Sequence, residues 1–547
     1  MTAPDLSPIE VLRSYPEHDY TLAGLVASRA ASDPDRALVL DETGASLSWR
    51  DVMAGAAALA VSLHGQGVRK GDRVAIMARN DVAHVLLLLA LGRLGAIMVP
   101  VNSELGVEEV GGLFEQADVI GVVASLELLD TVRKACSGMA EKPWLCTIGR
   151  TEGELSFDDL SKPQTAGTLD DAGIEPGSAE DPAIIIFTSG SSGRPKGVVH
   201  TQRSLILSGE AYVDRVHLQP RDRVLIILPL FHINAMFYSL CGTLAAGASC
   251  IVVPRFSASK FWNTAADLGA TVVNATNTVL NILVARPRSE YREDHQLRAI
   301  SGGGPPHTEQ FLREECGIKT IIAGYGMTEI PGVISTPFDG PRVTGSMGVI
   351  GSHPDPSHPW AECRIVDEQG NDVPVGEVGE LWVRTPNVMK EYFRDEERTR
   401  AAFREGGWFS TEDLVRCDAD GVFYFVARNR DIVKRRGENI SPVEVEKVII
   451  RHPAVLDVAV IPVPGELGDE ELCAVTVLIP GQEATASEIA DWCAEHLAPV
   501  KVPRFVTFVE DLPRTGPDKV AKQVLRADPS VLAGAIDLGP ASASRQR

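Results

Sequence analysis

Residues 183–197 read Ala-Ile-Ile-Ile-Phe-Thr-Ser-Gly-Ser-Ser-Gly-Arg-Pro-Lys-Gly. The apolar run 183–187 predicts a buried strand, and it feeds straight into a loop. Eight of the eleven residues 187–197 are Thr, Ser, Gly or Lys. Glycines let successive backbone N–H groups curl round an anion, and hydroxyls add donors. Lys196 adds a positive charge. The spacing is not that of the P-loop: Pro195 precedes the lysine, Gly197 follows it, and no helix N-cap comes next. Taken by itself, the loop could equally be a flexible Gly/Ser hairpin turn.

Working outward, short apolar runs alternate with helical patterns along almost the whole chain, which predicts α/β architecture. Helical spacing covers 21–31 and 50–66, and 73–77 reads as a strand before a helix at 81–92. After the polar stretch 151–180, a second region is expected to open at Asp181-Pro182. It has strands at 183–187, 224–228, 249–253, 271–274 and 320–323, with helices between. Residues 361–384 read as β-rich. The fold class expected is α/β: a large N-terminal region of several subdomains, 1–428, with a small mobile α+β domain, 429–547. In the latter we expect a strand pair near 431–434, helices at 442–451 and 485–496, and strands at 455–463 and 473–478. The final SASRQR reads as a disordered tail.

Composition narrows the function classes. The 547 residues include 52 Lys+Arg and 74 Asp+Glu, a net charge of −22, and no basic tract. A nucleic-acid partner is therefore not expected. ATP can still bind, but through local donors and a metal ion. Nine scattered cysteines without CxxC spacing suit reduced thiols in a cytoplasmic setting. The opening residues lack the basic start and apolar stretch of a signal peptide. The most apolar segment, Val85 to Leu91, is far shorter than the about 20 residues of a membrane span and reads as a buried helix.

Further strings stand out. Gly324-Tyr325-Gly326-Met327-Thr328-Glu329 follows a predicted strand and offers a ring, a hydroxyl and a hard oxygen ligand. Its plain reading is a strand-to-loop turn with a core tyrosine. Gly302, Gly303 and Gly304 leave room for a flat base. His232 closes Leu-Pro-Leu-Phe-His, where a lone histidine is more often structural. Trp408 to Asp413 ends in an acidic pair, Glu412-Asp413. Residues 427–440 are a charged stretch of the kind found in solvated linkers. Lys519 ends Leu512-Pro-Arg-Thr-Gly-Pro-Asp-Lys519 and would be an ordinary surface lysine in isolation.

Together and in this order, from about residue 20 to about residue 525, these strings resemble the adenylate-forming superfamily. That group includes acyl-CoA synthetases, luciferase and peptide-synthetase adenylation domains. The resemblance implies an AMP-forming acyl-CoA ligase with ATP, a carboxylic acid and CoA as substrates and Mg2+ as cofactor. It places ATP or AMP against Thr188, Ser189, Gly190, Ser191, Ser192, Gly193, Lys196, Gly302–Gly304, Gly324, Tyr325, Gly326, Met327 and Thr328. Asp413 would accept from the ribose hydroxyls, Arg428 would contact ribose or phosphate, and Glu329 would hold the metal. His232 would line the acyl and thiol channel, with Asn234 and, more weakly, Met236, Ser239, Asn277 and Thr278. Thr188, His232, Glu329, Lys434 and Lys519 would carry the chemistry, Lys519 in adenylation and Lys434 with Gly437 in thioester formation. Arg430 would be the hinge. The chain departs from the family pattern at Glu412 and Asp518, where glycine is usual. Residues 324–329 and 435–439 are most similar to carnitine/crotonobetaine and medium-chain ligases. The acceptor remains open between CoA, a carrier protein and an amine, as does a degenerate nucleotide-binding protein, and a homodimer is compatible with this reading.

Overall fold

The isoleucine run ahead of the Gly/Ser-rich stretch 188–193 forms the strand Pro182–Thr188. In the computed structural model, residues 5–163, 173, 175–188, 195–340, 342–428, 433–435, 438–465, 470–514 and 520–539 are described. This strand lies in an eight-stranded sheet whose order, by first residue, is 391, 196, 182, 97, 73, 121, 144, 155. From Pro182–Thr188 to Leu155–Ser156 the pairing is parallel; Lys196–Thr201 and Glu391–Tyr392 are antiparallel additions. Strands Ile97–Val101 and Gly121–Ser125 are buried along their whole length, as parallel strands covered on both faces must be.

A seven-stranded sheet runs in the order 320, 299, 272, 223, 249, 37, 46. Neither sheet respects the expected division at residue 181. Strands 182–188 and 196–201 join the sheet built from 73–156, and strands 37–48 join that built from 223–322. Strands pair where their apolar faces can be covered, and chain order is only a guide to that.

The helix Val82–Leu94 contains the apolar segment foreseen as buried. Eleven of its thirteen residues are buried, Asp81 caps its first turn and Gly95 ends it in the left-handed region. The helix Gln202–Val216 starts at the N-cap Thr201 and is buried on nearly every side, so it forms a central strut between the layers. A three-stranded sheet (324–327, 330–335, 349–350) and an antiparallel sheet built from 362–428 share one apolar core, which includes Ile330, Ile334, Leu381 and Phe409.

From Val433 onward the chain has its own cores, gathered round a four-stranded sheet and the helices Pro442–Ile449 and Ala486–His496. The expected strand pair is the hairpin Val433–Arg435 and Glu438–Ile440. Arg435, 1 % exposed, pairs with Glu471 over 2.6 Å and donates to the carbonyls of Val500 and Val502.

Candidate functional site

The strands on either side of residues 189–194 form an antiparallel pair with Thr188 opposite Lys196. Ser189, Gly190, Ser191, Ser192 and Gly193 lie outside the described residues. Lys196, at the start of the return strand, makes an ion pair with Glu329. Tyr392 completes the group. Its hydroxyl donates to Glu329 Oε1 over 2.7 Å and accepts from Lys196 Nζ over 3.1 Å. Burial pushes the Glu329 carboxyl up. The Lys196 ammonium and the hydrogen bonds from Lys196 and Tyr392 outweigh it and hold the group below its ordinary value.

Local sequence suggested a strand-to-loop turn at 324–329. In fact Gly324–Met327 is itself a strand, paired antiparallel with Ile330–Ser335, and Thr328-Glu329 forms the two-residue turn between them. A turn with that short a reach presents both side chains at one tip. His200 fixes the tip from below, donating from Nε2 to the Thr328 carbonyl over 2.7 Å. Burial drives the His200 pKa down to about 4, so the ring is neutral near pH 7.

Tyr325 reaches out of this hairpin to the antiparallel sheet, donating to Asp413 Oδ2 over 2.7 Å. Burial, and then the Asp413 charge, raise the tyrosine well above its usual value. Arg428 lies beside the same carboxylate, Nε to Oδ1 3.4 Å. Glu412, in the position where the family's glycine would stand, has φ +59°. The backbone keeps the left-handed conformation suited to glycine and imposes it on a glutamate.

Gly302 has φ +152°, and a Cβ there would lie 1.9 Å from the Ala275 carbonyl oxygen, so no side chain fits. Gly303 packs toward Ala323 and Gly304 toward Thr308 and Asn277. On the other flank, Asn80 bridges the Leu228 carbonyl and the Leu230 N–H at 2.9 and 2.8 Å, which fixes the segment ending in His232. The His232 pKa is pushed by burial down to about 4. Next comes a π-helix, Asn234–Leu240, the kind of irregular turn that clusters at functional sites. Among the described residues, Thr188 Oγ1, His232 Nε2 and Asn234 Oδ1 are buried polar atoms without a hydrogen-bond partner. Buried orphans of this sort point to a missing polar ligand.

Met236 and Ser239 belong to the core: Met236 is fully buried, and Ser239 Oγ accepts from Asn274 Nδ2 over 2.7 Å. Arg430, Gly437 and Lys519, with the departure at Asp518, lie outside the described residues. Lys434 is placed only by its backbone, in the strand Val433–Arg435. Tyr392, His200 and Asn80 were not visible in the motifs. Each is an isolated residue whose partner lies 63, 128 or about 150 positions away.

Residues 26–393 match the model of the AMP-binding enzyme family, and residues 444–519 match that of the AMP-binding enzyme C-terminal domain. The chain belongs to the AMP-binding enzyme family. It is an adenylate-forming enzyme of the acyl-CoA ligase type. A sulfoacetate–CoA ligase of Cupriavidus necator is 32% identical over 518 residues, 93% of this chain and 98% of that protein. A crotonobetaine/carnitine–CoA ligase of Salmonella paratyphi A is 31% identical over 474 residues, 85% of this chain and 90% of that one. Among solved structures, an anthranilate CoA ligase in complex with anthranoyl-AMP superposes with a TM-score of 0.85 at 26% identity, covering 94% of this chain and 98% of that one. ATP-bound MatB from Rhodopseudomonas palustris gives 0.82 at 29%, with 92% and 98% covered.

No helix of this ligase among its described residues is long and apolar enough to cross a membrane. All nine cysteines are free. Nor do the described residues assemble three or more ligating side chains into a metal cage. A single buried carboxylate, Glu329, fits a hard cation that takes the rest of its shell from substrate phosphates and water.

Proposed function

We propose that this acyl-CoA ligase divides its two half-reactions between the site just described and residues of its C-terminal domain, 429–547. In the first, a carboxylate oxygen of the acid attacks the α-phosphorus of ATP, the bond to the β-phosphate oxygen breaks, and pyrophosphate leaves. The protein's task is positioning and charge neutralisation. Residues 188–193 and Lys196 cradle phosphate. Gly302–Gly304 and Tyr325 take the base, Thr328 contacts phosphate, Asp413 takes the ribose hydroxyls and Arg428 ribose or phosphate. Glu329 would hold Mg2+, which supplies charge neutralisation on the phosphates.

The supporting observation is the Lys196–Glu329–Tyr392 group. It keeps a cation and an anion together at the point where an incoming metal–triphosphate brings a partner for each. Buried charges of opposite sign left unpaired are costly, so the pair holds the site intact between turnovers.

In the second half-reaction the CoA sulfur attacks the acyl carbon, the bond from that carbon to the AMP phosphate oxygen breaks, AMP leaves with the electron pair, and the thiol proton passes to water. His232 and Asn234 line the channel, and neutral His232 leaves that passage uncharged. Lys434 and Gly437 serve this step, Lys519 serves the first, and rotation about Arg430 exchanges them. The separate cores that begin at Val433 support such a hinged body. The free cysteines suit a cytoplasmic setting.

The experiment measures the half-reactions apart. Lys519→Ala is expected to lose about 10²–10⁴-fold in acid-dependent pyrophosphate exchange and to keep transfer from pre-made acyl-adenylate to CoA. Gly437→Leu should show the opposite pattern. If both half-reactions fall together in either variant, the division of labour is refuted.

A further inference from the structure

A cavity of about 250 Å³ lies between the C-terminal end of helix Gln202–Val216 and the strand Ile330–Ser335. Arg215, Asp214, His217, Ser335, Phe338 and Ser352 are among its lining residues. The arginine is the notable member. Its Nη2 donates to the Gly332 carbonyl over 2.7 Å, and its guanidinium carbon lies 4.8 Å from the centre of the Tyr238 ring. Among the described residues no carboxylate comes within ion-pair distance of Arg215. Its acidic neighbours in the cavity are otherwise placed: Asp214 accepts from Ser352 Oγ over 2.5 Å, and Asp339 is exposed.

Two glycines make this placement attainable. A Cβ on Gly332, where φ is +62°, would lie 2.0 Å from Arg215 Nη2, and a Cβ on Gly324 would lie 3.8 Å from Nη1. The guanidinium thus rests against both strands of the hairpin whose tip carries Thr328 and Glu329. Gly332 is three strand residues from Glu329, roughly 10 Å at the rise of an extended chain. Tyr238 stands one turn beyond Asn234 on the π-helix whose first residue carries an orphaned amide oxygen. The Arg215 guanidinium, without a carboxylate partner among the described residues, thus borders a space the size of a small organic acid, against the hairpin that bears Glu329 and beside the helix that begins at Asn234.

We propose that Arg215 receives a distal oxyanion of the acid substrate, and that the enzyme activates short acids carrying a second negative group, a carboxylate or a sulfonate. This rests on the ligase reading above. A guanidinium presents a planar fork of donors that matches either oxyanion, and the Tyr238 ring and the Gly332 carbonyl hold that fork in one plane. A site built round a polar partner rejects the analogue that lacks it, because the site's own group is then left unpaired.

The test is CoA-dependent AMP release from matched pairs of acids: propionate with malonate, butanoate with succinate, and 3-sulfopropionate beside both. In the unaltered enzyme the doubly charged member should have at least a tenfold higher kcat/KM. Arg215→Met should lower kcat/KM for the doubly charged acids by about 10²-fold, chiefly through KM, and leave the single acids within about threefold. Arg215→Lys, which keeps the charge without the fork, should fall between. If Arg215→Met does not fold, the unaltered enzyme's preference decides the matter. Equal or better use of the single acids by the unaltered enzyme, or an equal loss for both members in Arg215→Met, overturns the assignment and leaves the ligase reading standing. No AMP release from any acid overturns both.

Discussion

Tyr325 donates its hydroxyl to Asp413 across 88 residues of sequence, joining the hairpin that bears Glu329 to the antiparallel sheet beside it. The bond is charge-assisted and largely buried, so it braces the site, and it orients the carboxylate that we propose takes the ribose. The two roles separate by substitution. Tyr325→Phe keeps the ring and should destabilise the fold by about 2 kcal/mol, with the KM for ATP within about fivefold of the parent. Asp413→Ala removes the acceptor itself and should raise the KM for ATP by about 10²-fold. Thermal unfolding and ATP titrations of both variants check this; a larger KM effect in Tyr325→Phe than in Asp413→Ala would refute the ribose assignment.

Tyr392 donates a hydrogen bond to Glu329, the residue we propose holds Mg2+. Tyr392→Phe should raise the Mg2+ concentration at half-maximal pyrophosphate exchange by two- to tenfold (roughly the effect of losing one hydrogen bond to a charged group) and leave the saturated rate within about threefold. Glu329→Gln should lower the saturated rate by about 10²-fold or more. Because the Glu329 value is depressed, the group stays ionised as pH falls through the ordinary carboxylate range, so it should give exchange no acidic limb above about pH 5. Mg2+ titrations at several pH values decide.

Glu412 is exposed and held at φ +59°. A non-glycine residue in that region costs about 1 kcal/mol. Glu412→Gly should therefore stabilise the protein by up to about 1 kcal/mol and leave the KM for ATP within twofold. A lower melting temperature in this variant would show that the glutamate side chain, not the backbone, governs the turn.

Glu210 is 3% exposed and lies between His18 and His353, at 3.2 and 3.0 Å. Burial raises its pKa, but hydrogen bonds from both histidines overcome this and bring the group to about 2. The folded value lies below the ordinary 4.5, so the stabilisation is complete above about pH 4.5 and is lost as pH falls toward 2. The shift corresponds to roughly 3 kcal/mol. Glu210→Gln should be destabilised by that order at pH 7 and should show a flatter decline between pH 4.5 and 2. Denaturant unfolding across this range would contradict the account if the two proteins kept parallel profiles.

Much of the site was legible because it is written in contiguous strings. Runs such as 183–197, 301–305 and 324–329 place hydroxyls, bare backbone and one carboxylate within a few residues, and a backbone cradle needs no distant partner to be recognised. Strand and helix positions were equally readable from apolar periodicity, down to the buried helix Val82–Leu94. The sequence by itself thus determined the chemistry and the order of its parts.

Tertiary structure alone decided what holds those parts in place. Glycines at 324 and 326 argue for a loop locally, yet pairing with Ile330–Ser335 makes that segment a strand and puts Thr328 and Glu329 at its tip. Tyr392 for Glu329, Asp413 for Tyr325 and Gly332 for Arg215 lie 63, 88 and 117 positions away. None of these pairs leaves a periodic trace, because a single polar contact between distant elements depends on how the layers stack. Nor could chain order reveal that strand Ala37–Asp41 pairs with Ser249–Val252, or that Pro182–Thr188 shares the sheet of Arg73–Met77. A strand's apolar pattern says that it must be covered, while the choice of neighbour is settled only when all the apolar faces of the chain are buried together.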